Sequence, residues 1–142
     1  MKQPHASTVT PCPCGSGAPC EACCGRWHRG ALHLLAPTAE ALMRSRYSAY
    51  VHQLGDYLLD TWHPSTRPPA PLTFEPGLRW LGLEVMHHVA TGKDSAEVVF
   101  IARSKRAGRA HRLHERSRFV REEGRWTYVD GEVGGPDFGT AR

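Results

Sequence analysis

The five cysteines of this chain all lie in one short segment between Cys12 and Cys24. Two stand at its start and three near its end, with a Gly-Ser-Gly turn between the two groups. Four thiolates brought to one point repel each other unless a cation lies among them. Zn²⁺ accepts such a tetrahedral set, with bonds to sulfur of about 2.3 Å. The segment therefore predicts a metal-binding knuckle whose ligands are Cys12, Cys14, Cys23 and Cys24.

The residue types leave two alternatives open. Iron also accepts four thiolates, so the metal is either Zn²⁺ or iron. Cys20 and Cys23 form a C-x-x-C pair, which is also compatible with redox or disulfide chemistry. A disulfide framework, however, spreads its cysteines along a small secreted domain, whereas these are crowded and odd in number. The pattern favours a metal site with Cys20 as a spare thiol, and a cytoplasmic protein.

The spacing of these cysteines also resembles a known motif. C-x-C-G-S-G begins at Cys12, and C-C-G follows at Cys23. This pattern resembles the SEC-C motif, the metal-binding module at the C-terminus of the SecA translocation ATPase. The last ligand of that motif is Cys or His, and Cys24 matches it, while Cys20 is a departure. The resemblance implies a docking module whose partner is a ribosome or a translation or secretion factor.

The length of 142 residues accommodates one compact domain beside the knuckle. No apolar run is long enough to cross a bilayer, so no membrane span is expected. The net charge of +4 permits an acidic or nucleic-acid partner without requiring one. The predicted organisation is a flexible tail at 1–11, the knuckle at 12–25, a linker at 26–36, an α+β domain at 37–131 and a second flexible tail at 132–142.

Helices are predicted in the first part of this domain. Thr38 is a suitable N-cap for a helix, because apolar residues recur at helical spacing from Ala39 to Leu54. Asp56 is predicted to cap a short second helix that ends before the His63-Pro64 pair.

From residue 78 the pattern becomes that of strands. Apolar-rich segments at 79–90, 96–103, 111–122 and 125–130 are separated by turns at 91–94 and 122–124 and by a polar connection at 105–110. Four strands joined in this way predict an antiparallel meander. Helices followed by a curled antiparallel sheet make an α+β domain.

Further segments widen the resemblance. In order they are ALMRSRYSAYV at 41–51, TWHP at 61–64, WLGLEV at 80–85, HERSRF at 114–119 and GRWTYVDG at 124–131. Together they resemble the signature of the YchJ family. The resemblance implies an N-terminal SEC-C motif joined to a cone-shaped domain like nuclear transport factor two, with helices packed into a strongly curved sheet. It implies a fold and a metal rather than a reaction.

A polar cavity inside such a cone is the second candidate site. Strand alternation places Glu115 and Phe119 on one face, and Phe119 indicates that this face points inward. Glu115 is then a partly buried acid whose expected partners are Arg46, Arg44 or His63. Such a set suits either a structural ion pair or acid/base chemistry. The alternative function is therefore a small-molecule binder or an acid/base enzyme that uses Glu115, His63 and Arg46.

A basic segment is the third feature. Nine of the chain's 18 lysine and arginine residues lie between residues 103 and 125. They form either a solvated sheet surface or a face that contacts phosphate or RNA. A homodimer through the open sheet is a further possibility. The favoured function is a zinc-binding adaptor that docks a protein or ribonucleoprotein partner through the knuckle.

Overall fold

The computed structural model describes residues 11–134. Three helices come first in the chain: α1 (Gly25–His28), α2 (Ala39–His52) and α3 (Gly55–Asp60), preceded by a 3₁₀ turn at Cys20–Ala22. Four strands follow: β1 (Arg79–Gly92), β2 (Ser95–Arg106), β3 (Arg109–Glu122) and β4 (Arg125–Val133). They form one antiparallel sheet in the order β1-β2-β3-β4. The predicted α+β class and the antiparallel meander are confirmed.

Helix α2 begins where the sequence places it. The Thr38 hydroxyl oxygen accepts a hydrogen bond from the Ala41 backbone N–H at 3.0 Å, so the predicted N-cap is confirmed. The helix ends at His52, and its C-cap Gln53 has a left-handed φ of 57°. This turn leads straight into α3, which starts at Gly55 without a side-chain cap. The prediction that Asp56 caps α3 is therefore wrong, because the N-cap position is Leu54 and Asp56 lies in the first turn of the helix.

The hairpins are tighter than the sequence suggests. The polar connection predicted at 105–110 is only the pair Ala107 and Gly108, with φ of 52° and 77°. Positive φ at both central residues is the type I′ turn, whose twist matches that of the flanking strands. An alanine seldom adopts this conformation, so the sequence predicted a connection here but not its two-residue form.

The ends of the chain are described in part. Of the predicted tails, residues 1–10 and 135–142 lie outside the described residues. Strand β4 continues to Val133, which pairs with Glu115, so the sheet extends past the domain end expected at residue 131. At the other end, Pro11 forms a β-bridge with Pro19 and closes the loop of the knuckle.

The core lies between α2 and the inner face of the sheet. Its large buried side chains include Leu42 on α2, Leu58 on α3 and Phe119 on β3. Register shifts in β1 and β4 mark β-bulges, which bend strands and increase their twist. The bent sheet wraps around α2 and leaves a cavity beside it. Within residues 11–134, no helix combines the length and apolarity needed to span a bilayer.

The segment predicted as a linker at 26–36 contributes to this core. Trp27 and Ala36 are buried and belong to the same apolar cluster as α2. The Trp27 carbonyl accepts a hydrogen bond from the Leu34 N–H at 3.1 Å, which folds the segment back on itself. The segment that leaves the knuckle is therefore packed into the core of the domain.

Candidate metal centre and internal cavity

The predicted ligands come together in one cluster. The sulfurs of Cys12, Cys14, Cys23 and Cys24 all lie within 4.8 Å of one another. The Cys14 and Cys23 sulfurs are 3.6 Å apart. Four sulfurs on a tetrahedron with metal–sulfur bonds of about 2.3 Å stand about 3.8 Å apart. The donor set therefore fits a single tetrahedral cation such as Zn²⁺.

Glycines allow the turns that present these sulfurs. Gly15 and Gly17 have φ of 87° and 88°, a region that residues with a Cβ seldom occupy. Gly25 follows the last ligand, and a Cβ there would lie 2.8 Å from the Cys20 carbonyl oxygen. The C-G-S-G and C-C-G patterns thus have a steric basis in the fold of the knuckle.

Hydrogen bonds inside the cluster favour the thiolate form of Cys12 and Cys14, whereas burial and the neighbouring cysteines raise the pKa of Cys23 and Cys24. A hydrogen bond with Cys24 lowers the pKa of Cys14 to about 4, and the same interaction raises the pKa of Cys24. Burial opposes ionisation of Cys12, but the Ser48 hydroxyl and the backbone N–H groups of Cys14 and Cys24 outweigh it and lower its pKa. The Ser16 hydroxyl lies 3.0 Å from the Cys23 sulfur. Such donors around a metal ligand stabilise the thiolate form that a cation needs.

Cys20 lies against this cluster but outside the group of four sulfurs. Burial and the neighbouring Cys12 raise its pKa to about 11, so it remains a neutral thiol at pH 7. Cys20 and Cys23 are both free rather than joined in a disulfide.

Helix α2 holds the knuckle in place. The Ser48 hydroxyl lies 3.3 Å from the Cys12 sulfur. Arg44 donates a hydrogen bond to the Cys14 carbonyl at 2.9 Å and pairs with Glu40 one turn earlier. His28, on the helix that follows the knuckle, donates from Nε2 to the Ser45 carbonyl at 2.9 Å. The metal site is therefore built partly by the domain.

A second concave site lies between α2 and the sheet. It has a volume of about 290 Å³. Arg46 and Glu115 both line it, as the sequence predicts. Glu115 accepts hydrogen bonds on Oε2 from Ser117 at 2.8 Å and from Tyr128 at 3.4 Å. Burial and the Glu115 charge raise the pKa of Tyr128, which therefore stays a neutral hydrogen-bond donor.

Comparisons with known proteins agree with both parts of this structure. Residues 38–131 match the family model described as YchJ, middle NTF2-like domain. A UPF0225 protein of Methylibium petroleiphilum is 64% identical over 126 residues, which cover 89% of this chain and 90% of that protein. A UPF0225 protein of Bordetella parapertussis is 53% identical over 133 residues, covering 94% and 99%. The chain belongs to the YchJ family.

Two solved structures are similar to this chain in their three-dimensional fold. A SEC-C motif containing protein from Rhodopseudomonas palustris, solved in solution, has a TM-score of 0.75 and 34% identity, covering 89% of this chain and 100% of that one. The crystal structure of a SEC-C motif containing protein from Psychrobacter arcticus has a TM-score of 0.73 and 28% identity, covering 89% and 84%. The resemblance to the YchJ family, with its SEC-C motif and cone domain, is thereby confirmed.

In this YchJ family chain the expected cavity triad is not assembled. His63 lies outside the cavity lining, where its Nε2 is 3.2 Å from Glu122 and its Nδ1 is 2.8 Å from Ser65. The prediction that His63 joins Glu115 and Arg46 is wrong, because the loop after α3 directs the ring to the β3–β4 turn. Arg44 is likewise committed to Glu40 and the knuckle.

In the fold, much of the positive charge of the basic segment at 103–125 is compensated. Five of its nine cations form ion pairs with carboxylates on neighbouring elements: Arg103 with Glu84, Arg106 with Glu75, Arg116 with Glu97 and Glu132, Arg118 with Asp130 and Glu132, and Arg121 with Asp94. Cross-strand pairs of opposite charge stabilise sheets. This arrangement favours the solvated sheet surface over a continuous phosphate-binding face.

Several contributing residues were not found from the sequence. Ser48 and Arg44 support the metal site, and Tyr128 orients Glu115 in the cavity. Gly131 was assigned to the end of the domain, yet a Cβ there would lie 2.8 Å from the Glu115 Cδ atom. The sequence signal for Gly131 is a glycine inside a strand, which often marks the close approach of another group. Gly131 pairs with Ser117, just beyond the β4 bulge at Val129.

Proposed function

We propose that this chain is a cytoplasmic zinc protein whose knuckle docks a protein or ribonucleoprotein partner. The cluster of four sulfurs within 4.8 Å of one another carries this proposal. Three of these cysteines are buried, with at most 3% of their surface exposed, so a cation bound there is enclosed by protein. A closed set of four thiolates leaves no coordination position for a substrate, which makes the metal structural.

Two considerations support zinc and the cytoplasm. Nitrogen and sulfur ligand sets bind Zn²⁺ more tightly than Fe²⁺ in the usual order of divalent metal affinity. Thiolates need a reducing compartment to remain available for a metal, and the cytosol is one.

The surface next to the knuckle supports docking. Helix α1 starts directly after Cys24 and is followed by Leu32 and Leu35, which are 45% and 44% exposed. Arg26 and Arg29 are exposed on the same segment. We call these four residues the α1 surface. Exposed apolar side chains with a cationic rim suit a partner that presents apolar and acidic groups, or phosphates beside a hydrophobic contact.

Metal content tests the first half of the proposal. Elemental mass spectrometry on untagged protein is expected to find about one zinc per chain. Cys12→Ser is expected to lose it, whereas the matched variant Cys20→Ser keeps it, because the Cys20 sulfur lies outside the cluster. Iron in place of zinc would reassign the metal, and a metal-free protein with oxidised thiols would overturn the proposal.

Co-sedimentation with purified ribosomes tests the second half. The zinc-loaded wild type is expected to bind, and Leu32→Ser with Leu35→Ser to weaken binding by about tenfold or more. Val89→Ser is the control, since Val89 is 52% exposed on β1 and lies outside the α1 surface. Equal binding by both variants would remove the α1 surface from the proposal, and no binding by wild type would exclude a ribosomal partner.

A further inference from the structure

The internal cavity has the size and walls of a small-molecule site. Its volume of about 290 Å³ is roughly twice that of a 150 Å³ cavity that admits benzene. Aromatic side chains from α2 and from the sheet form much of its wall: Tyr47, Tyr50, Trp80, Phe100 and Phe119. Apolar walls with a few converging polar groups are typical of ligand pockets.

Arg46 is the unusual group in this cavity. Only 6% of its surface is exposed, and its Nη1 donates to the Leu58 carbonyl at 2.8 Å and to the Thr61 hydroxyl at 2.7 Å. Within residues 11–134 no carboxylate lies within ion-pair distance of its guanidinium, and no acceptor engages its Nε or Nη2. A buried cation is costly unless an anion or an acceptor completes its surroundings.

Aromatic rings hold this guanidinium in position. Its central carbon is 4.6 Å from the ring centre of Tyr128 and 5.0 Å from that of Trp62. Stacking of this kind favours the charged form and leaves the edge of the guanidinium plane for hydrogen bonding. Nε and Nη2 remain available to an acceptor, and Arg46 is one of the residues that line the cavity.

Glu115 provides a hydrogen-bond acceptor in the cavity, where Arg46 provides donors. Its Oε2 is used by Ser117 and Tyr128, while Oε1 has no hydrogen bond within residues 11–134. Burial lowers the pKa of Arg46, and the charge of Glu115 is among the groups that oppose this shift without forming an ion pair. The carboxylate also occupies the space that Gly131 leaves by lacking a Cβ. The cavity thus presents separate donors and an acceptor with room between them.

We propose that this cavity binds a one-ring carboxylate that carries an adjacent amine or hydroxyl group. The carboxylate of the ligand accepts from Arg46, its amine or hydroxyl donates to Glu115, and its ring lies among the aromatic walls. A bare phosphate or sulfate lacks the ring that would lie among the aromatic walls, and those apolar walls cannot replace its hydration. This site is distinct from the knuckle and does not depend on the proposed docking.

A fluorescent pair of probes tests the charge requirement. 2-Aminobenzoate has the ring, the carboxylate and the adjacent amine, whereas 2-aminobenzamide is its uncharged analogue. We expect the zinc-loaded wild type to bind 2-aminobenzoate at least about tenfold more tightly, since a charge-assisted hydrogen bond contributes that much or more. Equal binding of the two probes, or no binding of 2-aminobenzoate, overturns the proposal.

Variants test the two polar groups. Arg46→Gln removes the charge and is expected to abolish the preference for 2-aminobenzoate over 2-aminobenzamide. Glu115→Gln tests the amine contact, for which benzoate is the comparison probe. Wild type is expected to prefer 2-aminobenzoate to benzoate severalfold, and Glu115→Gln to reduce this preference. Unchanged preferences in both variants overturn the assignment of these residues.

Filling the cavity tests its location without touching the polar groups. Ala102 is buried and lines the cavity, so Ala102→Leu is expected to block 2-aminobenzoate. Ala90→Leu is the control, because Ala90 is an exposed residue of β1. Thermal unfolding confirms that each variant is folded, and Leu113→Phe replaces Ala102→Leu if that variant is unfolded. Full binding by a folded cavity-filled variant places the ligand elsewhere and overturns the proposal.

Discussion

The knuckle and the sheet domain have interiors of different composition. The buried cluster of the knuckle consists of Cys12, Cys14 and Cys24, and Leu83 of β1 is the neighbouring aliphatic side chain. The domain has an apolar core with large, fully buried side chains such as Leu42, Leu58 and Phe119. Burying one such side chain stabilises a fold by about 1.5–3 kcal/mol. Three buried cysteines are far too few to offset the entropy of ordering the knuckle.

Metal binding is expected to supply the stabilisation that the knuckle lacks. Apparent binding free energies of structural Zn²⁺ sites are about 10–16 kcal/mol at pH 7. One region therefore depends on coordination and the other on hydrophobic burial, even though Arg44 and Ser48 join them. Perturbations of the two interiors should have separable effects.

Loss of a metal ligand is expected to have the largest effect. Cys14→Ser should abolish metal binding and unfold the knuckle, because a hydroxyl is a poor substitute for a thiolate in such a set. The sheet domain should still unfold cooperatively, with a lower midpoint. Heteronuclear NMR spectra with and without a chelator would report both regions, and complete unfolding of the domain would show that the two are one cooperative unit.

A large-to-small substitution in the apolar core is expected to destabilise the sheet domain and leave metal binding intact. Phe119→Ala should lower the free energy of unfolding by about 3–5 kcal/mol, since Phe119 is only 1% exposed. The folded fraction should keep its metal, as measured by elemental analysis after size-exclusion chromatography. Val133→Ala is the matched control, because Val133 is 71% exposed and should change stability little. Metal loss from folded Phe119→Ala would contradict the separation.

Breaking the connection between the regions is expected to have a smaller effect. Arg44→Met removes the hydrogen bond to the Cys14 carbonyl and should cost about 1–2 kcal/mol. The rate of zinc release to a chelator should rise, because the loop that carries Cys14 loses its support. Glu40→Gln keeps the Arg44 contact with Cys14 and serves as the comparison. Equal release rates in wild type and Arg44→Met would show that the contact is not needed.

A pH effect on the linking segment is expected to be the smallest. Burial lowers the pKa of His28 below 6.5 in the folded state, so the unfolded chain binds a proton more readily. Stability from the neutral ring is therefore complete above pH 6.5 and declines as the pH falls below it. His28→Gln should flatten this decline between pH 7.5 and 5.5 in urea unfolding, whereas exposed His111→Gln should not. Identical slopes in wild type and His28→Gln would contradict this assignment.

The sequence predicts local features well. The Thr38 cap and the cysteine cluster depend on residues close in the chain, and both are found in the structure. The alternation of β3 also correctly places Phe119 and Glu115 on the inner face. These features follow from periodicity and steric rules that act over a few residues.

Long-range pairing explains most of what the sequence did not predict. His63 contacts Glu122, which is 59 residues away, and the carboxylates that neutralise the basic segment come from several other elements. Such pairs depend on strand register and on the path of a loop, neither of which is encoded in local composition. The left-handed Ala107 was missed for another reason, because a residue's propensity is overridden when the twist of a hairpin requires it.

Helix α2 connects these two sites mechanically. Residues two apart on a helix point about 200° from each other, so Arg44 and Ser48 lie on the opposite side from Arg46. The first pair contacts the knuckle, and Arg46 lines the cavity. A single rigid rod thus forms a wall of both sites. Any rotation of α2 that changes its contacts with the knuckle also moves Arg46 in the cavity wall. Neither site can therefore be redesigned without accounting for the other.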